Sequence, residues 1–240
     1  MTVQSRLVGG GLAVLIDPDR TSPEAARDLA RRAEDEGCIA LLVGTSFGGS
    51  GNSARLARTV REAATVPVVQ FPATAGDLVA DVDAVLLLSL VSGRNAQYLI
   101  EEHVRAVPFL ERHPTIEVIS TAYILVDGGR VTSVEAVSQT RPLPGDKPEL
   151  VRAHARAGAL IGMSATYLDA GSGANTPVAA PLVRAARDAT RGPLLVGGGI
   201  TDGAGVRAAR EAGADVVVVG SLIERGGARS VRALALAARG

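Results

Sequence analysis

The chain has 240 residues, 47% of them hydrophobic, and 25 basic residues balance 25 acidic ones. Neutrality removes the electrostatic footprint of a nucleic-acid binder, and 2% aromatic residues with no Trp leave no base-stacking platform. One cysteine, Cys38, excludes a disulfide framework or cysteine metal cluster, and neither a membrane-length apolar run nor a secretory signal pattern occurs. A soluble α/β protein of the cytoplasm is the expectation.

Short β-branched runs alternate with Ala/Arg/Glu-rich stretches along nearly the whole length. Strands are predicted at Leu12–Ile16, Ile39–Val43, Val66–Phe71, Ala84–Leu90, Glu117–Val126, Ser164–Leu168, Pro193–Val196 and Asp215–Val219. Runs such as AVLLLSL and DVVVVG are apolar throughout, as in parallel strands covered on both faces. Between the strands, Ser22-Pro23-Glu24 opens a helix with an N-cap, a proline and an early acid. Thr201-Asp202 opens another, which stops at Gly213. Pro72–Asp81 is short for a helix, and Asp127–Pro148 reads as one long irregular loop. Eight strand-then-helix units without a linker predict one (β/α)₈ TIM barrel over residues 1–240, its third helix shortened or irregular. A doubly wound open sheet is the alternative.

Barrel active sites lie at the C-terminal ends of the strands, so the residues after each strand carry the functional signal. Asp17-Pro18-Asp19-Arg20 follows the first strand, and Gly44-Thr45-Ser46 follows the second. Asp17 and Asp19, with Ser46 beside them, form a set suited to Mg²⁺, while DPD also suits a capped turn. Glycines follow strands six, seven and eight, where backbone N–H groups approach an anion closely. Three such loops in the expected places point to phosphate binding. Tyr167 and Asp169 lie two apart on one strand and face the barrel mouth, a general base beside a hydrogen-bond donor or else half of a structural ion pair. His103, His113 and His154 fall at no strand end and read as surface or packing residues. Cys38 reads as a small core hydrophobe, and Lys147, the only lysine, sits in a loop, which argues against Schiff-base chemistry.

With these residues in place, the chain resembles the geranylgeranylglyceryl phosphate synthase family, which includes the bacterial heptaprenylglyceryl phosphate synthases. LIDPDR at 15–20, YLDAGSGANTPV at 167–178, VGGGI at 196–200 and VVVGS at 217–221 carry the resemblance. The intervening segments VPVVQFPA, DAVLLLSLVSGRNAQYLI and AYILVDGGRVTSVEAVSQTRPLPGDKPE are similar to those of the bacterial-type group.

The resemblance implies Mg²⁺-dependent transfer of a polyprenyl group from its diphosphate to sn-glycerol 1-phosphate. It places the metal on Asp17 and Ser46. It places the glycerol phosphate on Tyr167, Leu168, Asp169, Ala170, Gly171, Ser172, Gly173, Gly198, Gly199, Gly220 and Ser221, with Asp169 and Tyr167 catalytic. An apolar groove for the prenyl tail is expected near Val91, Ser92, Tyr98, Leu99 and Tyr123. The family usually has Glu where this chain has Asp169, Asn where it has Ser221, and lysines where it has Arg20 and Arg130. Another three-carbon phosphate acceptor, such as 3-phosphoglycerate, and a barrel that only binds phosphate or prenyl lipid are the alternatives. Barrels of this kind often form dimers or larger rings, so a homo-oligomer is expected, peripheral to the membrane through its lipid product.

Overall fold

The computed structural model describes residues 2–45, 51–220 and 229–239. A short helix α1 (Val3–Val8) precedes the first barrel unit, β1 (Gly11–Ile16) and α2 (Pro23–Asp35). The next elements are β2 (Ala40–Val43), α3 (Ser53–Ala63), β3 (Val68–Gln70), β4 (Ala84–Leu90) and α4 (Glu102–Arg112). Then come β5 (Glu117–Leu125), α5 (Ser133–Ser138), α6 (Pro148–Leu160), β6 (Ala165–Asp169) and α7 (Ala180–Ala189). The chain ends with β7 (Leu194–Gly197), α8 (Gly203–Glu211), β8 (Val216–Val219) and α9 (Arg229–Ala238). The eight strands pair in parallel, each with the next and β8 with β1, in a closed barrel. Closure leaves no sheet edge exposed.

Each strand sends alternate residues to opposite sides, because the side-chain period is two. Ala13, Leu42, Val69, Leu86, Ile119 and Leu195 fill the interior. Val14, Leu41, Val68, Val85, Leu168 and Val196 meet the helices. That double burial is why the strands read as unbroken apolar runs. Cys38 lies in the outer core, and burial pushes its thiol up to about 12, so it behaves as a hydrophobe. The expected caps form: Ser22 Oγ accepts the Ala25 N–H, and Asp202 Oδ1 accepts the Gly205 N–H.

Three features position the site. At the floor, Leu7 of α1 plugs the interior core. There the Glu117 carboxylate accepts the N–H groups of Val3 and Gln4, at 2.6 and 2.9 Å. After β3 the expected helix is reduced to one 3₁₀ turn, Ala75–Asp77, held by a capping box between Thr74 and Asp77. The stretch expected to be a single irregular loop is more ordered than the sequence suggests. It contains α5, a bridge pairs Val126 with Leu143, and Lys147 occupies the N-cap position of α6, exposed on the mouth side.

Candidate functional site

At the C-terminal ends of the strands two cavities meet, the first the more polar of the two. The first, of about 140 Å³, is bordered by Asp17, Thr45, Tyr167, Asp169 and the glycine loops after β6, β7 and β8. Of the residues expected to hold phosphate, Tyr167, Asp169, Ser172, Gly173, Gly198, Gly199 and Gly220 line it. Leu168 and Ala170 instead pack in the core that faces the helices, and Gly171 donates its N–H to Asp169 Oδ1 at 2.8 Å. Ser46 and Ser221 lie outside the described residues. Gly198 adopts φ +82°, and a methyl group there would fall 2.6 Å from Asp169 Oδ1 and 2.7 Å from the Gly171 nitrogen. Only glycine lets the two loops close to this distance.

The loop after β5 braces the loop after β6. The Gly128 carbonyl accepts the N–H groups of Asn175 and Thr176, and the Asn175 amide donates to the Gly129 carbonyl. Arg130 reaches the Gly173 carbonyl at 3.4 Å, while Arg20 stands 3.8 Å from the Asp17 carboxylate. Both arginines therefore contact residues of the cavity wall without lining the cavity themselves. Asp17, whose Oδ1 accepts the Asp19 N–H at 2.8 Å, presents its side chain at the cavity wall, 19% exposed. Asp19 is exposed and is not among the residues lining that cavity.

Asp169 is 7% exposed at the tip of β6. Its register partners are Leu125 on β5 and Gly197 on β7, which puts Tyr123 beside Tyr167 one step below. The Tyr123 hydroxyl donates to Asp169 Oδ2 at 2.5 Å. Burial raises the Asp169 carboxyl above its usual range, while the Tyr123 O–H and the Gly171 N–H pull it back by favouring the anion. Burial, with the Asp169 charge nearby, raises both tyrosines well above 10, so each remains a hydrogen-bond donor at neutral pH. The result is a buried carboxylate held at both oxygens and more basic than an exposed one.

The second cavity is an apolar groove of about 310 Å³ running between β3, β4, α4 and α5. Leu78, Leu87, Leu88, Tyr98, Ala106 and Val134 supply most of its character. Tyr98 and Tyr123 line it as expected, but Val91, Ser92 and Leu99 do not. Ser92 Oγ instead accepts the Leu125 N–H, and the Leu99 carbonyl accepts a hydrogen bond from Ser89 Oγ. A π-helical turn over Gln97–Glu101 rotates the helix face and brings Glu102 and His103 to the wall. Glu102 is 8% exposed; it accepts the Ala75 N–H at 2.7 Å and the Gln97 amide at 3.0 Å, tying the 3₁₀ turn to α4. His103 Nε2 donates to the Leu88 carbonyl, whereas His113 packs on Phe109 and His154 bonds the Leu150 carbonyl, away from both cavities. Phe71 and Thr45 line both cavities, a role that their positions after strands three and two did not reveal.

The sequence matches the PcrB family over residues 9–238. The chain belongs to that family. Its similarity to a geranylgeranylglyceryl phosphate synthase from Spirosoma linguale is 42% identity over 213 residues, 89% of this chain and 85% of the relative. A geranylgeranylglyceryl phosphate synthase from Methanothrix thermoacetophila is 40% identical over 221 residues, 91% of this chain and 86% of its own. The fold superposes on (S)-3-O-geranylgeranylglyceryl phosphate synthase from Thermoplasma acidophilum, a structure in complex with substrate sn-glycerol-1-phosphate. That match has a TM-score of 0.91 at 26% identity and covers 99% of this chain and 98% of the other. Family membership places the protein among the prenyltransferases. No helix among the described residues is long and apolar enough to cross a membrane.

Proposed function

We propose that this PcrB-family prenyltransferase moves a polyprenyl group from its diphosphate to a hydroxyl of sn-glycerol 1-phosphate. The observation that carries the reading is the junction itself. A glycine-walled cavity that holds the Asp169 carboxylate and a more apolar groove share Phe71 and Thr45. One substrate presents a phosphate and the other a long apolar tail, so their reacting ends meet where the cavities meet. The Thermoplasma relative, solved with sn-glycerol-1-phosphate, supports the choice of acceptor.

In this reading the N–H groups of the three glycine loops hold the acceptor phosphate, and the Tyr167 hydroxyl orients the glycerol end. Asp169 takes the proton of the attacking hydroxyl, a role helped by its raised basicity. A carboxylate at that end of the acceptor would lie against the Asp169 carboxylate, so glycerol 1-phosphate is favoured over 3-phosphoglycerate.

Mg²⁺ fits the donor set. Among the described residues no group of three or more His, Cys, Asp or Glu side chains forms a cage. Asp17 offers a hard carboxylate at the cavity wall, which matches an ion that takes one or two carboxylates and fills its shell with water and phosphate oxygens. Asp17, with Ser46, would hold the ion, which when bound offsets charge on the departing pyrophosphate.

Purified protein incubated with Mg²⁺, labelled geranylgeranyl diphosphate and sn-glycerol 1-phosphate should form a prenyl ether. Chelation or Asp17→Ala should abolish it while the melting temperature holds. No ether from any C15–C35 donor with either acceptor would refute the activity, and an active Asp17→Ala variant would remove the metal assignment.

A further inference from the structure

The chain carries three Phe, three Tyr and no Trp in 240 residues, and half of these rings gather at one place. Phe71 stacks on Tyr167 with centroids 5.1 Å apart, and Tyr123 meets both edge-on, at 5.9 Å from Phe71 and 5.6 Å from Tyr167. Packing alone does not require rings there, because the rest of the barrel interior is filled mainly by Ala, Val, Leu and Ile. Tyr123 and Tyr167 are 5% and 2% exposed, whereas Phe71 is only partly buried and borders both cavities.

We propose that Phe71 is a catalytic residue whose ring, backed by Tyr167, stabilises positive charge on the allylic carbon during transfer. The proposal rests on the prenyl-transfer reading above. In that reaction the bond between the allylic carbon and the diphosphate oxygen breaks, and its electron pair leaves with pyrophosphate. The acceptor hydroxyl oxygen supplies the pair for the new C–O bond, and its proton passes to Asp169. Between bond breaking and bond making the allylic unit is electron-deficient. The phosphate end of the acceptor belongs in the glycine-walled cavity and the tail in the groove, so that unit lies at their shared wall, against Phe71. The face of an aromatic ring carries negative charge density, and a desolvated cation over it gains up to roughly thirtyfold in rate. Leu at this position would fill the wall equally well without that charge density.

The test replaces Phe71 with mono-, di- and trifluorophenylalanine and with Leu, in the full chain. Fluorine drains the ring face while changing its size little, so a role in packing predicts no trend. The readout is the single-turnover rate of ether formation, with KM for both substrates and the melting temperature measured alongside. A stepwise fall with each fluorine, approaching the Phe71→Leu rate at about thirtyfold loss with KM unchanged, supports the proposal. A flat series, or a loss confined to KM for the diphosphate donor, overturns it and leaves the prenyl-transfer reading intact. A wild-type protein that makes no ether overturns both.

Discussion

Gly198→Ala tests the closeness of the glycine loops directly. At φ +82° an L side chain costs about 1–2 kcal/mol. The added methyl would also stand 2.6 Å from Asp169 Oδ1, 2.7 Å from the Gly171 nitrogen and 2.8 Å from the Ala170 nitrogen. Neither amide yields easily, since Ala170 N–H bonds the Gly197 carbonyl at 3.1 Å and Gly171 N–H bonds Asp169. The loop after β6 must therefore shift and turn Asp169 with it. Gly162 supplies the control. Its φ is +96°, but nothing lies within 4 Å of an added methyl, so Gly162→Ala isolates the backbone cost. Gly162→Ala should lower the melting temperature by about 2–8 °C and leave binding unchanged. Gly198→Ala should also weaken glycerol 1-phosphate at least about tenfold, roughly 1.4 kcal/mol, by titration calorimetry. Wild-type affinity in Gly198→Ala, or equal weakening in both variants, would refute the reasoning.

Three further outcomes follow from the same geometry. Burial raises the folded-state affinity of Asp169 for its proton, so the stability this gives is full below the usual 3.8 and is lost as pH rises. Asp169→Asn should accordingly melt higher than wild type at pH 7 while turning over at least about a hundredfold more slowly; a lower melting point would contradict the burial argument. Tyr123→Phe removes a donor that favours the Asp169 anion, so the acidic limb of the pH–rate profile should move to higher pH, and an unmoved limb would count against Asp169 as the base. Glu117→Ala should cost about 1–2 kcal/mol by denaturant titration through the two N–H groups it caps, without changing turnover per folded molecule.

The strands were legible because burial on both faces leaves nearly unbroken apolar runs, as in Ala84–Leu90 and Val216–Val219. The polar strand ends were legible for a related reason, since Asp17, Asp169 and the glycines after β7 and β8 end those runs on the mouth side. What was hidden depended on register and on helix phase. That Tyr123 reaches Asp169 follows from pairing Tyr123 with Tyr167 and Leu125 with Asp169, which no local pattern specifies. Leu99, expected at the groove from the resemblance, falls within the π-helical turn Gln97–Glu101 and does not line the groove. The six residues SVEAVS of α5 lie between polar and Pro-rich stretches, so their helix depends on tertiary contacts rather than on propensity. Phe71 reads locally as one more apolar strand residue, and only barrel closure places it between two cavities.

Lys147 has a practical consequence. It is the only lysine among 240 residues, it is exposed, and it starts α6 on the mouth side. An amine-directed fluorophore therefore has a single side chain to modify besides the α-amine, and the barrel puts that dye on the face where the two cavities lie. Native chemistry alone supplies a reporter for ligand entry, without an engineered cysteine.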